Sequence, residues 1–174
     1  MATPRGLPFA TEATVHAYRR AGGRGTTWQR EVLAFLLGDE EYAIDIRRIR
    51  EIIKTRPVTE VPRAPGFVLG IISVRGQVIP VMDLRRRLRL PAPPRLPGRE
   101  ARVLIVTRVD EHFGLLVDEV RQVVRMRDSD VEPPPAMLGG PDAEFIAGIG
   151  RPWGERMLIL LDLDAVLTFA GGRT

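Results

Sequence analysis

A chain of 174 residues, 44% hydrophobic and 28% charged, has room for one ordinary packed domain or for two small subdomains sharing a core. It has no cysteine, which excludes disulfide staples, thiolate metal sites and cysteine nucleophiles. The net charge of +4 resides in residues 1–30, where five arginines face Glu12 alone; the remainder is neutral, which argues against nucleic-acid binding by the folded body.

In chain order, residues 1–30 are rich in Gly, Thr and Arg and read as a flexible extension, with room for one short helix near Glu12–Arg20. Val32–Leu37 is an apolar run ended by Gly38-Asp39-Glu40, a hairpin-type turn, and Tyr42–Ile46 follows with alternating apolar positions. Ile46, Ile49, Ile52 and Ile53 then recur at a spacing that suits either a helix or an interrupted strand. Pro57, Pro62 and Pro65 break the chain, and Ala64–Leu69 has room for one helical turn before Gly70. Ile71–Val74 and Val78–Met82 read as a hairpin around Arg75-Gly76-Gln77. Leu84–Leu88 reads as a short helix, and Pro91, Pro93, Pro94 and Pro97 as a linker. Strands follow near Arg102–Thr107, Phe113–Val117 and Val120–Met126. After a break at Pro133–Pro135, Phe145–Ile149 and Arg156–Leu161 lead to a terminal helix over Asp162–Phe169.

The second half repeats the first. Phe67, Gly70 and Gly76 meet Phe145, Gly148 and Gly154 at an offset of 78, and Asp83-Leu84 meets Asp162-Leu163 at 79. Ile44, Ile46, Ile49, Ile52 and Ile53 meet Leu115, Val117, Val120, Val123 and Val124 at an offset of 71. Units of about 60 residues bury too little alone, so the copies are expected to lean on one another. Short strands at regular intervals with glycine turns point to a mainly β fold. The expectation is two pseudo-repeated five-stranded β-barrel subdomains sharing a hydrophobic core, with short helices and a C-terminal helix. Their bounds fall at about 31–90 and 100–170, intertwined at the seam.

Catalytic groups are sparse. The two histidines are His16, in the extension, and His112, in a turn beside Asp110 and Glu111; neither has metal-ligand spacing. The pieces Gly22–Gly25 and Gly139-Gly140 lack a phosphate-cradling pattern. Asp83 and Asp162 occupy equivalent positions and read as helix caps rather than as an acid–base couple. No metal or cofactor is expected, and no enzyme activity. No apolar run approaches the roughly 18 residues of a membrane span, and no signal pattern opens the chain, so a cytoplasmic protein without membrane insertion is expected.

The copies differ at one pair of positions. Glu51 and Arg75 in the first correspond to Gln122 and the neighbourhood of Trp153 in the second, so the first copy is expected to carry a task. Paired at a partly buried site, the loss of either partner would strand the other at a cost of about 3–5 kcal/mol. The rows Ile46/Ile49/Ile52 and Val117/Val120/Val123 exceed what one buried face absorbs, and part of them is expected to line an apolar groove suited to a partner helix.

Phe35–Ile46, Ile49-Arg-Glu-Ile52, Gly70–Gly76, Val78–Leu84, Leu116–Val120 and Arg156–Leu160 together resemble the CheW coupling proteins of bacterial chemotaxis, over residues 31–169. The resemblance implies twin barrels and an adaptor that holds a CheA-type histidine kinase against the cytoplasmic tip of methyl-accepting chemoreceptors in membrane-associated arrays. It implies partner-binding roles for Glu51, Arg75 and Gly76, a receptor groove near Ile46, Ile49 and Val123, and ring assembly with the kinase's own coupling domains. The same module serves other chemosensory pathways, including gliding and twitching motility. Ser73 and Val74 depart from the family's Asn-Leu before the Arg-Gly turn, so that turn is expected to be held differently.

Overall fold

Alternation of apolar and polar side chains is carried into strands almost throughout. The computed structural model describes residues 30–91, 98–136 and 143–169. The expected helix near Glu12–Arg20, the prolines at 93, 94 and 97 and Gly139-Gly140 lie outside these. The first copy supplies β1 (Arg30–Leu37), β2 (Glu40–Asp45), β3 (Ile49–Lys54), β4 (Val68–Val74) and β5 (Gln77–Asp83), then α1 (Leu84–Arg87). The second supplies β6 (Arg102–Arg108), β7 (Glu111–Val117), β8 (Glu119–Met126), β9 (Val131–Glu132), β10 (Ile146–Trp153) and β11 (Arg156–Leu161), then α2 (Leu163–Leu167). Among the described residues no helix is long and apolar enough to cross a membrane.

The repeats exchange strands. One sheet runs β8-β1-β2-β11-β10-β9 and the other β3-β6-β7-β5-β4. Exchanging β1 for β6, β2 for β7, β3 for β8, β4 for β10 and β5 for β11 turns the first order into the second, so the chain is pseudo-two-fold. The extra strand β9, which pairs Glu132 with Ile149, has its counterpart in a lone bridge between Thr59 and Ile71. Each sheet therefore needs both copies: a hairpin from one is flanked by a strand and a hairpin from the other.

Each sheet also curls around an interior of its own. Val32, Ala34, Ala43, Val124, Met126, Leu158 and Leu160 fill the first. Ile53, Ile72, Val74, Ile79, Val81, Val103 and Ile105 fill the second. A third and larger core, with Leu33, Phe35, Ile44, Leu104 and Leu115 at its centre, lies between the sheets. The period of two along β1 divides its residues between these cores, Val32 and Ala34 to one side, Leu33, Phe35 and Leu37 to the other.

The ambiguous isoleucine segment is a strand with a bulge. Ile49 pairs with Val106 and Glu51 with Ile105, so Arg50 is an extra residue on β3. The bulge resets the alternation, which lets Ile49 and Ile52 both face the shared core at a spacing of three. The second copy does the same: Val120 and Val123 of β8 pair with Phe35 and Leu33 of β1.

Both helices start as expected. The Asp83 carboxylate accepts from the Arg85 and Arg86 amides at 3.0 and 3.4 Å, and that of Asp162 from the Ala165 amide at 3.1 Å. Replacing either aspartate by alanine is expected to cost about 1 kcal/mol, and asparagine far less, in denaturant titrations. The terminal helix is shorter than expected, ending at Leu167. Ala64–Leu69 holds no helical turn. Prolines at 62 and 65 remove amide donors and favour extended neighbours, so the chain makes a tight turn closed by Val68 N–H to Pro65 O (2.9 Å) and enters β4.

Candidate partner-binding site

The hairpin of β4 and β5 closes through a two-residue loop, with Val74 paired to Gln77. Both loop residues have positive φ, 51° at Arg75 and 80° at Gly76, the pattern that matches the right-handed twist of the flanking strands. Glycine takes this without strain, and an added Cβ at Gly76 would meet nothing within 4 Å, so it is the backbone and not crowding that asks for glycine. Val74 is buried in the interior of the second sheet and Ser73 contributes its carbonyl, which accepts from the Arg56 guanidinium at 3.2 Å. A main-chain oxygen thus anchors the strand end.

Glu51 stands next to the bulge on β3, the opposite edge of the same sheet. The Arg75 guanidinium donates to its carboxylate at 3.1 Å. Arg50 donates to the Gln77 side chain at 3.0 Å, so β3 and the segment just after it are clasped to the β4–β5 hairpin at three points across the gap between the two edges. The clasp covers edges that would otherwise invite pairing with another chain. The Glu51 side chain is 12% exposed, whereas that of Arg75 is 69% exposed. Solvent screening at the arginine lowers the worth of this pair to about 1 kcal/mol or less, below the figure for a buried pair. What it fixes is position, with a guanidinium held on the surface at one place.

Arg50 also places one of its nitrogens 2.5 Å from Nε2 of His112, whose Nδ1 lies 3.2 Å from the Thr107 hydroxyl. A guanidinium only donates, so Nε2 accepts and the ring is neutral. Burial and then the Arg50 charge hold the imidazole below its ordinary value. Sequence reading overlooked this connection because Arg50 and His112 lie 62 positions apart and no periodicity links them.

The second copy has a different chemistry at the equivalent place. Its hairpin turns at Gly154, with the Trp153 ring stacked under the Arg156 guanidinium at 4.9 Å. Arg156 and Arg121 both engage Glu41, which is 9% exposed. Beside them a cavity of about 760 Å³ opens between Leu36, Ile149, Met157 and Ile159, with Glu41, Arg121 and Arg156 of these pairs on its rim.

Three of the six expected contact residues lie elsewhere. Ile46, Ile49 and Val123 are 4%, 0% and 2% exposed, within the core between the sheets. Their side chains face that core rather than solvent. The surplus of apolar faces that suggested a groove is absorbed by the additional cores, one inside each curled sheet. Ile52 and Ile53, adjacent in sequence, point into different interiors, as do Val123 and Val124. The site that remains at the surface consists of Arg75 and Gly76 with Glu51 beneath them.

A family model for the CheW-like domain matches residues 31–170. The chemotaxis protein CheW of Rhizobium meliloti (strain 1021) is 37% identical over 142 residues, spanning 81% of this chain and 89% of that protein. The chemotaxis protein CheW of Treponema pallidum (strain Nichols) is 34% identical over 157 residues, spanning 89% and 91%. The crystal structure of the scaffolding protein TtCheW from Thermoanaerobacter tengcongensis is similar at a TM-score of 0.74 and 31% identity, covering 83% of this chain and 97% of that one.

Proposed function

This chain belongs to the CheW-like domain family, a non-catalytic scaffold of chemotaxis, and from that premise we propose that it couples a CheA-type histidine kinase to the cytoplasmic tip of a chemoreceptor. The observation that carries the reading is the fixed, exposed guanidinium of Arg75, set by Glu51 and the Arg75-Gly76 turn on a body stiffened by three cores. Arg75, Gly76 and Glu51 form a partner-facing contact. Ile46, Ile49 and Val123 act from behind, holding the bulged strand and its pseudo-symmetric mate in register.

The mechanism is physical rather than chemical. Two contact surfaces on one stiff body turn a second binding event into a local one and raise the concentration of kinase at the receptor. A stiff body also passes a change of arrangement from one partner to the other, which is what coupling requires. The twin halves allow alternating contacts with the kinase's own CheW-like part, and such head-to-tail contacts close into rings when the rotation permits. The protein would then be cytoplasmic and drawn to receptor arrays at the membrane.

The test is a three-component capture with a receptor cytoplasmic fragment, a CheA-type kinase and this chain. Receptor beads are expected to retain the kinase only when the chain is present. Retention of kinase that is indifferent to the chain would refute the reading.

A further inference from the structure

The clasp between β3 and the β4–β5 hairpin contains one group that answers to mild acid. Nη1 of Arg50 spends both of its N–H groups there, one on Oε1 of Gln77 at 3.0 Å and one on Nε2 of His112 at 2.5 Å. A single nitrogen therefore ties together β3, which carries Arg50 at its bulge, β5, which opens at Gln77, and β7, which carries His112. Gln77 follows Gly76 directly, so the same nitrogen holds the end of the Arg75 turn.

His112 can take this part in one form only. A guanidinium has no lone pair to offer, so Nε2 accepts and the ring proton sits on Nδ1, 3.2 Å from the Thr107 hydroxyl. Thr107 is its partner across the β6–β7 ladder. A second proton has Nε2 as its only place. There it removes the lone pair that Arg50 uses and sets two cations 2.5 Å apart. The surrounding charges do not offset this. Burial and Arg50 on β3 oppose protonation, while Asp110 in the β6–β7 turn favours it through space and more weakly. Thr107 on β6 and Gln77 on β5 are neutral. Arg108 and Glu111 are turned to the other face of the sheet by the period of two, Arg108 donating there to the Leu167 carbonyl at 3.0 Å. Glu51 and Arg75 face each other.

We propose that Arg50 and His112 form an acid-released latch on the Arg75 turn, closed while the imidazole is neutral and opened when Nε2 takes a proton from solvent. Opening frees Gln77 from β3, while the Arg75–Glu51 pair and the Arg56 bond to the Ser73 carbonyl remain. Histidine is the one side chain that ordinarily changes charge between about pH 5 and 8, so His112 alone among the clasp's members responds there. The fold holds the imidazole below its ordinary value, so the unfolded chain takes up the proton first. Stability from the latch is therefore full above the ordinary imidazole value, about 6.5, and is lost as pH falls below it.

The test is nuclear magnetic resonance of the isotope-labelled full chain, with His16→Gln introduced so that His112 gives the only imidazole signals. At neutral to alkaline pH the ring is expected as the Nδ1–H tautomer. On acidification its midpoint is expected below that of the same chain unfolded in urea, with the Gly76 and Gln77 amide signals moving at that same midpoint. Arg50→Gln is expected to bring the His112 midpoint up toward the unfolded value and to leave the two amides indifferent to pH. Thermal midpoints read the latch independently: between about pH 7.5 and 5.5 the parent is expected to lose more than His112→Gln, which keeps an acceptor but takes no proton. An Nε2–H tautomer at alkaline pH would overturn the latch. So would turn amides that ignore the His112 titration, or that follow it equally in Arg50→Gln. Equal thermal losses in the parent and His112→Gln would overturn it as well.

Discussion

Arg75→Glu is expected to weaken assembly of receptor and kinase at least about thirtyfold while leaving the protein folded. The stability change is small because Arg75 is mostly exposed and its neighbour Gly76 leaves open space beside the turn. The new carboxylate faces Glu51 at the place where the guanidinium stood 3.1 Å away. Like charges there cost about 1 kcal/mol, a shift of only a few degrees in melting temperature for a domain of this size. The binding change is large because the substitution removes a charged anchor and installs its opposite. Contacts of that type carry about 2 kcal/mol or more at an interface. The charge-swapped pair, Glu51→Arg with Arg75→Glu, separates two accounts. If the pair only holds the hairpin to β3, the swap restores capture; if Arg75 itself meets the receptor, the swap restores the melting temperature and not the binding. We expect the second outcome, measured by calorimetry and by three-component capture in parallel. Normal capture by the folded Arg75→Glu protein would dismiss Arg75 as a contact.

The difference between what could be read in advance and what could not has a physical pattern. Strand positions followed from period-two alternation, and the duplication followed from Phe67, Gly70 and Gly76 meeting Phe145, Gly148 and Gly154. The caps at Asp83 and Asp162 followed from residue type ahead of a short helical run. Alternation tells which face of a strand is buried but not which strand lies beside it, so the exchange of the β1–β2 and β6–β7 hairpins between the copies' sheets is not legible in it. For the same reason Ile52-Ile53 and Val123-Val124 announce two buried faces without telling which interior each one meets. The clasp around Glu51 depends on long arginine side chains reaching between sheet edges, which no local spacing encodes.

The joint between the copies at their helices makes the second large prediction, and it concerns stability. Arg87 of α1 reaches the end of α2 and donates to the carbonyls of Val166 at 2.7 Å, Ala165 at 3.2 Å and Thr168 at 2.7 Å. These carbonyls lie at the end of the helix and just past it, where partial negative charge gathers, and that of Ala165 also accepts from the Thr168 amide at 3.3 Å. The same guanidinium lies 4.5 Å from the Phe145 ring centroid, 4.8 Å from that of Phe67 and 6.0 Å from that of Phe169. Phe67 and Phe145 are equivalent residues of the two copies, and their carbonyls accept from Asp83 and Asp162, each at 2.8 Å. Burial pushes the Arg87 guanidinium below its ordinary value, and the helix-end carbonyls and ring faces offset that cost by favouring the cation. Arg87→Ala takes a donor from each of three carbonyls, of which only that of Ala165 keeps another, the Thr168 amide, and opens a gap among the rings. The expected loss is about 3 kcal/mol, or about 6–12 °C in melting temperature. Arg87→Lys keeps the charge but not the planar fork, so it should recover less than half of that loss. Arg86→Ala, one residue earlier and exposed, should stay within about 0.5 kcal/mol of the parent. Equal melting temperatures for the Arg87 and Arg86 variants would show that the copies are held together by their shared core alone. The expected order instead makes Arg87 the polar fastening of the pseudo-two-fold body, on which a stiff scaffold depends.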